Sequence, residues 1–211
     1  MKIFKKIKNL LVLVLMFLPS LNFANEFAFC NHLDAVKGGF YTDFSKIILN
    51  SHDEVTMILV RKDLRRLYLL NKNQIVKSYN IALGRQVIGP KVFEGDFKTP
   101  EGIYLIDKKN SFSNYHKSLR ISYPNFQDIA RAHKMGRSPG GNVLIHGLSN
   151  NPIRKTELLA GKHPVINWTW GCIAVTDDEI DEIFSVIQTG TPIEICPLPE
   201  NSPLKLGVSK S

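Results

Sequence analysis

The apolar residues of this chain fall in short runs, and most of the runs have the length of a strand. "VTMILVR" (55–61), "RLYLL" (66–70) and "IVKSYNIAL" (75–83) are rich in β-branched and aromatic residues. Lys62-Asp63-Leu64-Arg65 and Asn71-Lys72-Asn73-Gln74 separate them, a pattern that predicts a strand meander joined by polar turns. The polar turn "EGDFKTPEG" (94–102), punctuated by Pro100 and Gly102, leads into a strand "IYLID" (103–107). "SLRISYP" (118–124) reads as another strand, and "FQDIARAHKM" (126–135) as a short helix stopped by Gly136. "GNVLIHG" (141–147) is a buried strand that ends on a histidine.

The clearest local pattern follows residue 172. "IAVT" (173–176) is a short apolar strand, and Thr176 with Glu179 three places on forms a capping box. Asp177 and Asp178 suit the positive end of the helix that starts there. Ile180, Ile183, Phe184 and Ile187 share one helical face, a core stripe, and Gly190 is expected to end the helix before the strand "TPIEIC" (191–196). The pattern predicts a mainly β protein with few, short helices.

The ends of the chain differ from this middle. Residues 1–24 carry Lys2, Lys5, Lys6 and Lys8, then an apolar stretch Leu10–Leu18, then Pro19-Ser20, the layout of a secretory leader. Cleavage after Ala24 or retention as an anchor are both compatible with it, and either puts the protein in the cell envelope or periplasm. Residues 25–54 then form an N-terminal extension, 55–196 one domain, and 197–211, with Pro197, Pro199 and Pro203, a loose tail. The formal charge of +8 falls to +4 when the four leader lysines are set aside. That remainder is not gathered into a stripe with aromatics, which argues against nucleic acid as a partner.

Three cysteines are too few for a disulfide framework. Cys30 and Cys196 pairing, with Cys172 left free, and all three unpaired are both open readings. Cys172 sits in "NWTWGCIAVTDDEIDEI" (167–183), on the turn just before a strand and a packed helix. A buried cysteine packing as a small hydrophobe would fit there. So would a nucleophile on a braced turn, where Gly171 permits a sharp backbone path and neighbouring amides stabilise an oxyanion. A thiol of ordinary pKa needs a base. Of the six histidines, His32, His52 and His116 lie in polar stretches, and His133 lies beside Arg131 and Lys134 on the short helix. His146 closes an apolar strand before Gly147, a rigid place from which to present an imidazole, and His163 lies on the loop leading to Cys172. Spacing alone does not separate a base from a strand-end histidine.

Four blocks in order, "GRQVIGPKVFEGDFKTPEGIYLI" (84–106), "SLRISYPN" (118–125), "SPGGNVLIHG" (138–147) and the Cys172 block, resemble the L,D-transpeptidase catalytic domain of YkuD type. The resemblance implies an L,D-transpeptidase-like β-sandwich that acts on peptidoglycan stem peptides, without cofactor or metal. In such enzymes a cysteine attacks the carbonyl of the L-centre of a diamino acid, a terminal D-alanine leaves, and an amine or water resolves the thioester. The nucleophile falls on Cys172, the base on His146, and supporting positions on Gly171 and Thr169. The family's second histidine is replaced by Trp170, and Ala174 stands where Arg or Asn is frequent. These departures resemble a subgroup that includes hydrolytic members, some acting on a wall-linked lipoprotein. His163 is then a candidate to replace the missing histidine. Trp170, Arg131 and Arg137 are candidates for substrate contact, although core packing for the tryptophans and a solvated basic face for the arginines are the plainer expectations. A zinc peptidase built on His146, His163 and Cys172 is a rival reading, but no metal-ligand spacing supports it. A non-catalytic peptidoglycan-binding domain is another.

Overall fold

The computed structural model describes Cys30, Leu49, residues 54–72 and 74–199, and Ser202. The expected leader, most of the 25–54 extension and most of the tail, with His32 and His52, lie outside the described residues. In chain order the strands are β1 (Met57–Arg61), β2 (Arg66–Asn71), β3 (Gln74–Asn80), β4 (Gly102–Ser113), β5 (His116–Ile121), β6 (Leu144–His146), β7 (Ile173–Ala174) and β8 (Pro192–Cys196). The helices are α1 (Phe126–Lys134), α2 (Pro152–Glu157) and α3 (Asp177–Val186). The protein is thus mainly β with a few short helices, as the apolar pattern predicts.

The strands line up as β3-β2-β1-β8-β4-β5-β6-β7. β1, β2 and β3 form the expected antiparallel meander, and β8 pairs with β1 in parallel. β4 serves both halves. Its residues 102–105 pair with β8, and from Ile106 onward it pairs with β5 across an irregularity between Ile106 and Lys108. Such a break in register bends a strand. The two halves accordingly share one apolar core: Ile58, Val60 and Leu67 from the first meet Ile106, Leu119, Ile145 and Ile173 from the second.

The unbroken apolar run of β1 has a simple cause. All five of its residues are buried, Ile58 and Val60 on the main core and Met57 and Leu59 on a smaller cluster with Leu70, Cys30 and Cys196. Cys30 and Cys196 form a disulfide with Cα atoms 5.6 Å apart, and Cys172 is free. Of the two readings open from the sequence, pairing is therefore the one realised.

The capping box of α3 is present: the Thr176 hydroxyl accepts the Glu179 N–H, and the Glu179 carboxylate accepts the Thr176 N–H at 2.8 Å. Gly190 does not end this helix, which stops four residues earlier, at Val186. Lys109 ends it by donating to the carbonyls of Phe184 (2.6 Å) and Ile187 (2.7 Å), satisfying acceptors that a further turn would have used. Gly190, at φ +93°, instead carries the chain toward β8. Lys62 also departs from its expected place in a solvated turn. It is fully buried, and its ammonium donates to Glu101 (2.6 Å) and to the Gly89 carbonyl (3.0 Å). This anchors the long 84–101 segment against the meander.

Candidate active site

Parallel pairing of β6 and β7 sets Ile145 opposite Ile173 and His146 opposite Ala174. Ile145 and Ile173 face the core, so His146 and Cys172, at positions alternating with them, face the other way. Both line a cavity of about 880 Å³. Cys172, just ahead of β7, and His146, on β6, are diagonal neighbours.

The turn before Cys172 is held from both sides. The Thr169 hydroxyl donates to the Cys172 carbonyl at 2.7 Å and accepts the Gly171 N–H at 3.2 Å. Gly171 has φ +128°, and a Cβ there would lie 2.6 Å from the Lys98 carbonyl oxygen. Gly84 approaches from behind; a Cβ on it would lie 2.3 Å from the Phe97 oxygen and 3.1 Å from the Gly171 Cα. Only glycine permits three backbone segments to meet this closely. The 84–101 segment is braced in turn by Asp96, whose carboxylate accepts the N–H groups of Val92 (2.7 Å) and Lys98 (3.0 Å) and pairs with buried Lys91 at 2.9 Å.

His146 is 2 % exposed. Its Nδ1 bonds to the Gly147 carbonyl at 2.7 Å, which makes Nδ1 the protonated nitrogen and leaves Nε2 able to accept. The Tyr115 ring lies against it with centroids 4.4 Å apart, and Trp168 meets it edge-on at 5.7 Å. Burial lowers the imidazole pKa to about 4, outweighing the Gly147 carbonyl. Burial also pushes the Cys172 thiol up, partly offset by the Leu144 N–H and the charge of Lys91. The thiol donates to the Asn142 carbonyl at 3.7 Å. At neutral pH the pair is therefore a neutral thiol and a neutral imidazole and not an ion pair.

The other residues singled out by the sequence are spread more widely. His163 does not line the cavity; its Nδ1 accepts from Trp168 Nε1 at 3.3 Å, its Nε2 is buried with no partner among the described residues, and burial with the Arg65 charge lowers its pKa to about 4. Trp168 thus links His163 to His146. Trp170 is 72 % exposed, contrary to the core packing expected for it, and lines the cavity with its ring edge-on to Phe97 at 5.9 Å. Arg131 is tied to Asp128 at 2.6 Å and Arg137 lies over the Phe93 ring at 4.2 Å; neither lines the cavity. Its cations are Arg85, Lys91 and Arg154. His146, His163 and Cys172 do not gather their ligand atoms into one cluster among the described residues. Cys30, Glu194 and Cys196 do converge, but both sulfurs are spent on their disulfide.

Sequence reasoning missed Tyr115, Lys91, Asn142 and Arg154. Asn142 was findable by its place before the strand, since its φ of +52° suits asparagine. Arg154 sits on α2, a polar helix with no buried residue, which no apolar periodicity marks. Asn151 followed by Pro152 was its signal, a cap residue and a proline at the first helical position.

The L,D-transpeptidase catalytic domain model, YkuD, matches residues 56–195. The chain belongs to this family. YafK of Escherichia coli (strain K12), by its name a candidate L,D-transpeptidase, is 31% identical over 116 residues, which is 54% of this chain and 38% of YafK. The crystal structure of the helical cell shape determining protein Pgp2 from Campylobacter jejuni is similar at 26% identity and a TM-score of 0.51, covering 74% of this chain and 52% of Pgp2. The chain therefore spans about half of Pgp2 and less of YafK. The family match takes in His146, Cys172 and the whole 84–101 brace.

Proposed function

We propose that this protein is a cysteine L,D-transpeptidase of the cell envelope acting on peptidoglycan stem tetrapeptides. The observation that carries the reading is the shared face of Cys172 and His146 in one cavity, with His146 Nδ1 engaged by Gly147 and Nε2 left to accept. As the Cys172 sulfur attacks the carbonyl of the diamino acid's L-centre, its proton passes to His146 Nε2. The C–N bond to the terminal D-alanine breaks, and His146 returns the proton to the leaving amine. An acceptor amine then attacks the thioester, gives its proton to His146 and expels the thiol. Thr169 and Gly171 hold the turn that presents the sulfur, and Lys91 adds positive charge beside it. Arg85 and Arg154, both exposed on the cavity wall, offer partners to the carboxylates of the stem. His163 acts through Trp168 on the placement of His146. Export by the 1–24 leader fits this substrate, and a part in cell shape, which the name of Pgp2 states for that protein, is an expectation for this one.

One observation favours hydrolysis as a second reading, on stem peptides or on a wall-linked lipoprotein. Trp170, on the cavity wall, is 72 % exposed, which suits a site that admits water to the thioester. The deciding experiment supplies a tetrapeptide-bearing muropeptide and an excess of a free D-amino acid. Exchange of the terminal residue supports transpeptidation; tripeptide alone at every amine concentration replaces it with hydrolysis.

A further inference from the structure

Beside the catalytic cavity lies a shallower groove of about 300 Å³, and Tyr115, Asn142 and Leu144 belong to both. Its floor is the outer face of the β4–β5 ladder. Lys108, Asn110 and Phe112 line it from β4, and Ser118 and Arg120 from β5. The register pairs Asn110 with Ser118, and Ser118 with His146. A row of polar side chains therefore crosses three strands and ends on the imidazole. At the usual spacing of neighbouring strands the row is about 10 Å long. Phe112, at the end of the groove away from His146, is 93 % exposed, an apolar ring that no core contact explains.

The chemistry of this floor is mostly neutral. Arg120 is held by Asp107 at 2.8 Å, leaving Lys108 as the one uncompensated cation among the described lining residues. Amide and hydroxyl groups beside an exposed aromatic face suit a polyol, whose ring C–H groups stack on the aromatic while its hydroxyls take the polar partners. The reach is also right. In a stem tetrapeptide the attacked carbonyl belongs to the third residue, so the sugar lies roughly 10 Å of extended chain away.

We propose that this groove seats the glycan strand carrying the stem peptide, with a saccharide ring on Phe112 and its polar groups on Asn110 and Ser118. The proposal rests on the peptidoglycan reading above. The test is retention of the protein on immobilised, peptide-free glycan strands. Wild type is expected to bind, Phe112→Ala to bind roughly three- to tenfold more weakly, and Phe112→Trp to recover. Phe126→Ala, which removes a ring 84 % exposed on α1 outside both cavities, should bind as wild type does. Absence of wild-type binding, an equal loss in the Phe126 variant, or binding that ignores Phe112 and disappears in raised salt overturns the proposal; the last outcome would indicate a polyanion at Lys108. A sugar-free tetrapeptide tests the thioester chemistry separately, because an acyl-enzyme formed on it needs no groove.

Discussion

At the β3-β2-β1-β8 end of the sheet, strands of five to seven residues pair in long ladders over a two-sided apolar packing. At the β6–β7 end the strands are three and two residues long, and little of the geometry comes from their ladder. It comes instead from distant backbone: Lys98 against Gly171, Phe97 against Gly84, and the Thr169 side chain on the Cys172 carbonyl. The two cysteine environments follow suit. At the regular end sulfur is consumed in a disulfide that ties Cys30 to β8; at the irregular end it is left as a thiol on a crowded turn. Disturbing the first end should change stability, and disturbing the second should change chemistry.

The largest effect separating them is expected from Gly171→Ala. The new methyl would meet the Lys98 oxygen at 2.6 Å on a backbone at φ +128°, so the turn must move. We predict a loss of turnover of roughly a hundredfold or more, the consequence of displacing a nucleophile by about an ångström. Near wild-type kcat/KM in a folded Gly171→Ala protein would show that the brace does not position Cys172.

Cys196→Ser tests the other end. Closing 166 residues of separation with one bond restrains the unfolded chain, and its loss should lower stability by about 4 kcal/mol in chemical denaturation. The rate of Cys172 alkylation should stay as in wild type. A slowed Cys172 would mean that the two ends are coupled through β8.

A smaller shift is predicted for Tyr115→Leu, read from the pH profile. Burial holds the His146 pKa down to about 4, so on the proposed role the imidazole is neutral and able to accept a proton above that pH and loses this only as pH falls through it. Removing the ring at 4.4 Å admits water, stabilises the imidazolium and raises this pKa. The acid limb of kcat/KM should therefore move upward in the variant. A wild-type acid limb near the ordinary histidine value of 6.5 would contradict the burial account.

The smallest effect is expected at Gly136→Ala. Its φ of +65° disfavours alanine, but nothing lies within 4 Å of the added carbon. A cost of about 1 kcal/mol in thermal or chemical unfolding, with turnover unchanged, is the outcome that sets Gly171 apart.

The same division decided what the sequence disclosed. β1 to β3, α1 and the start of α3 rest on local patterns, namely apolar runs and side-chain caps within three residues, and these can be read along the chain. The places of Cys172 and His146 in the fold were legible, since each closes or opens an apolar strand beside a glycine. Their setting was not. Lys62 reaches Glu101, Lys109 reaches the end of α3, and Gly84 lies on Gly171, contacts that no short-range periodicity encodes. Arg131, on α1, pairs with Asp128, and Arg137, beyond the end of that helix, lies over the Phe93 ring, partners that their places in the sequence do not announce. The cavity cations Arg85 and Arg154 come from segments without apolar periodicity, Arg154 from a helix marked only by its Asn151-Pro152 start.

The most direct test of the account is intact-protein mass measurement, followed by peptide mapping, after brief mixing with a stem tetrapeptide. The prediction is one adduct of tripeptide-acyl mass on Cys172, released by hydroxylamine or an acceptor amine, slowed in His146→Ala and absent in folded Cys172→Ala. An adduct on another residue, or turnover by folded Cys172→Ala, would contradict it.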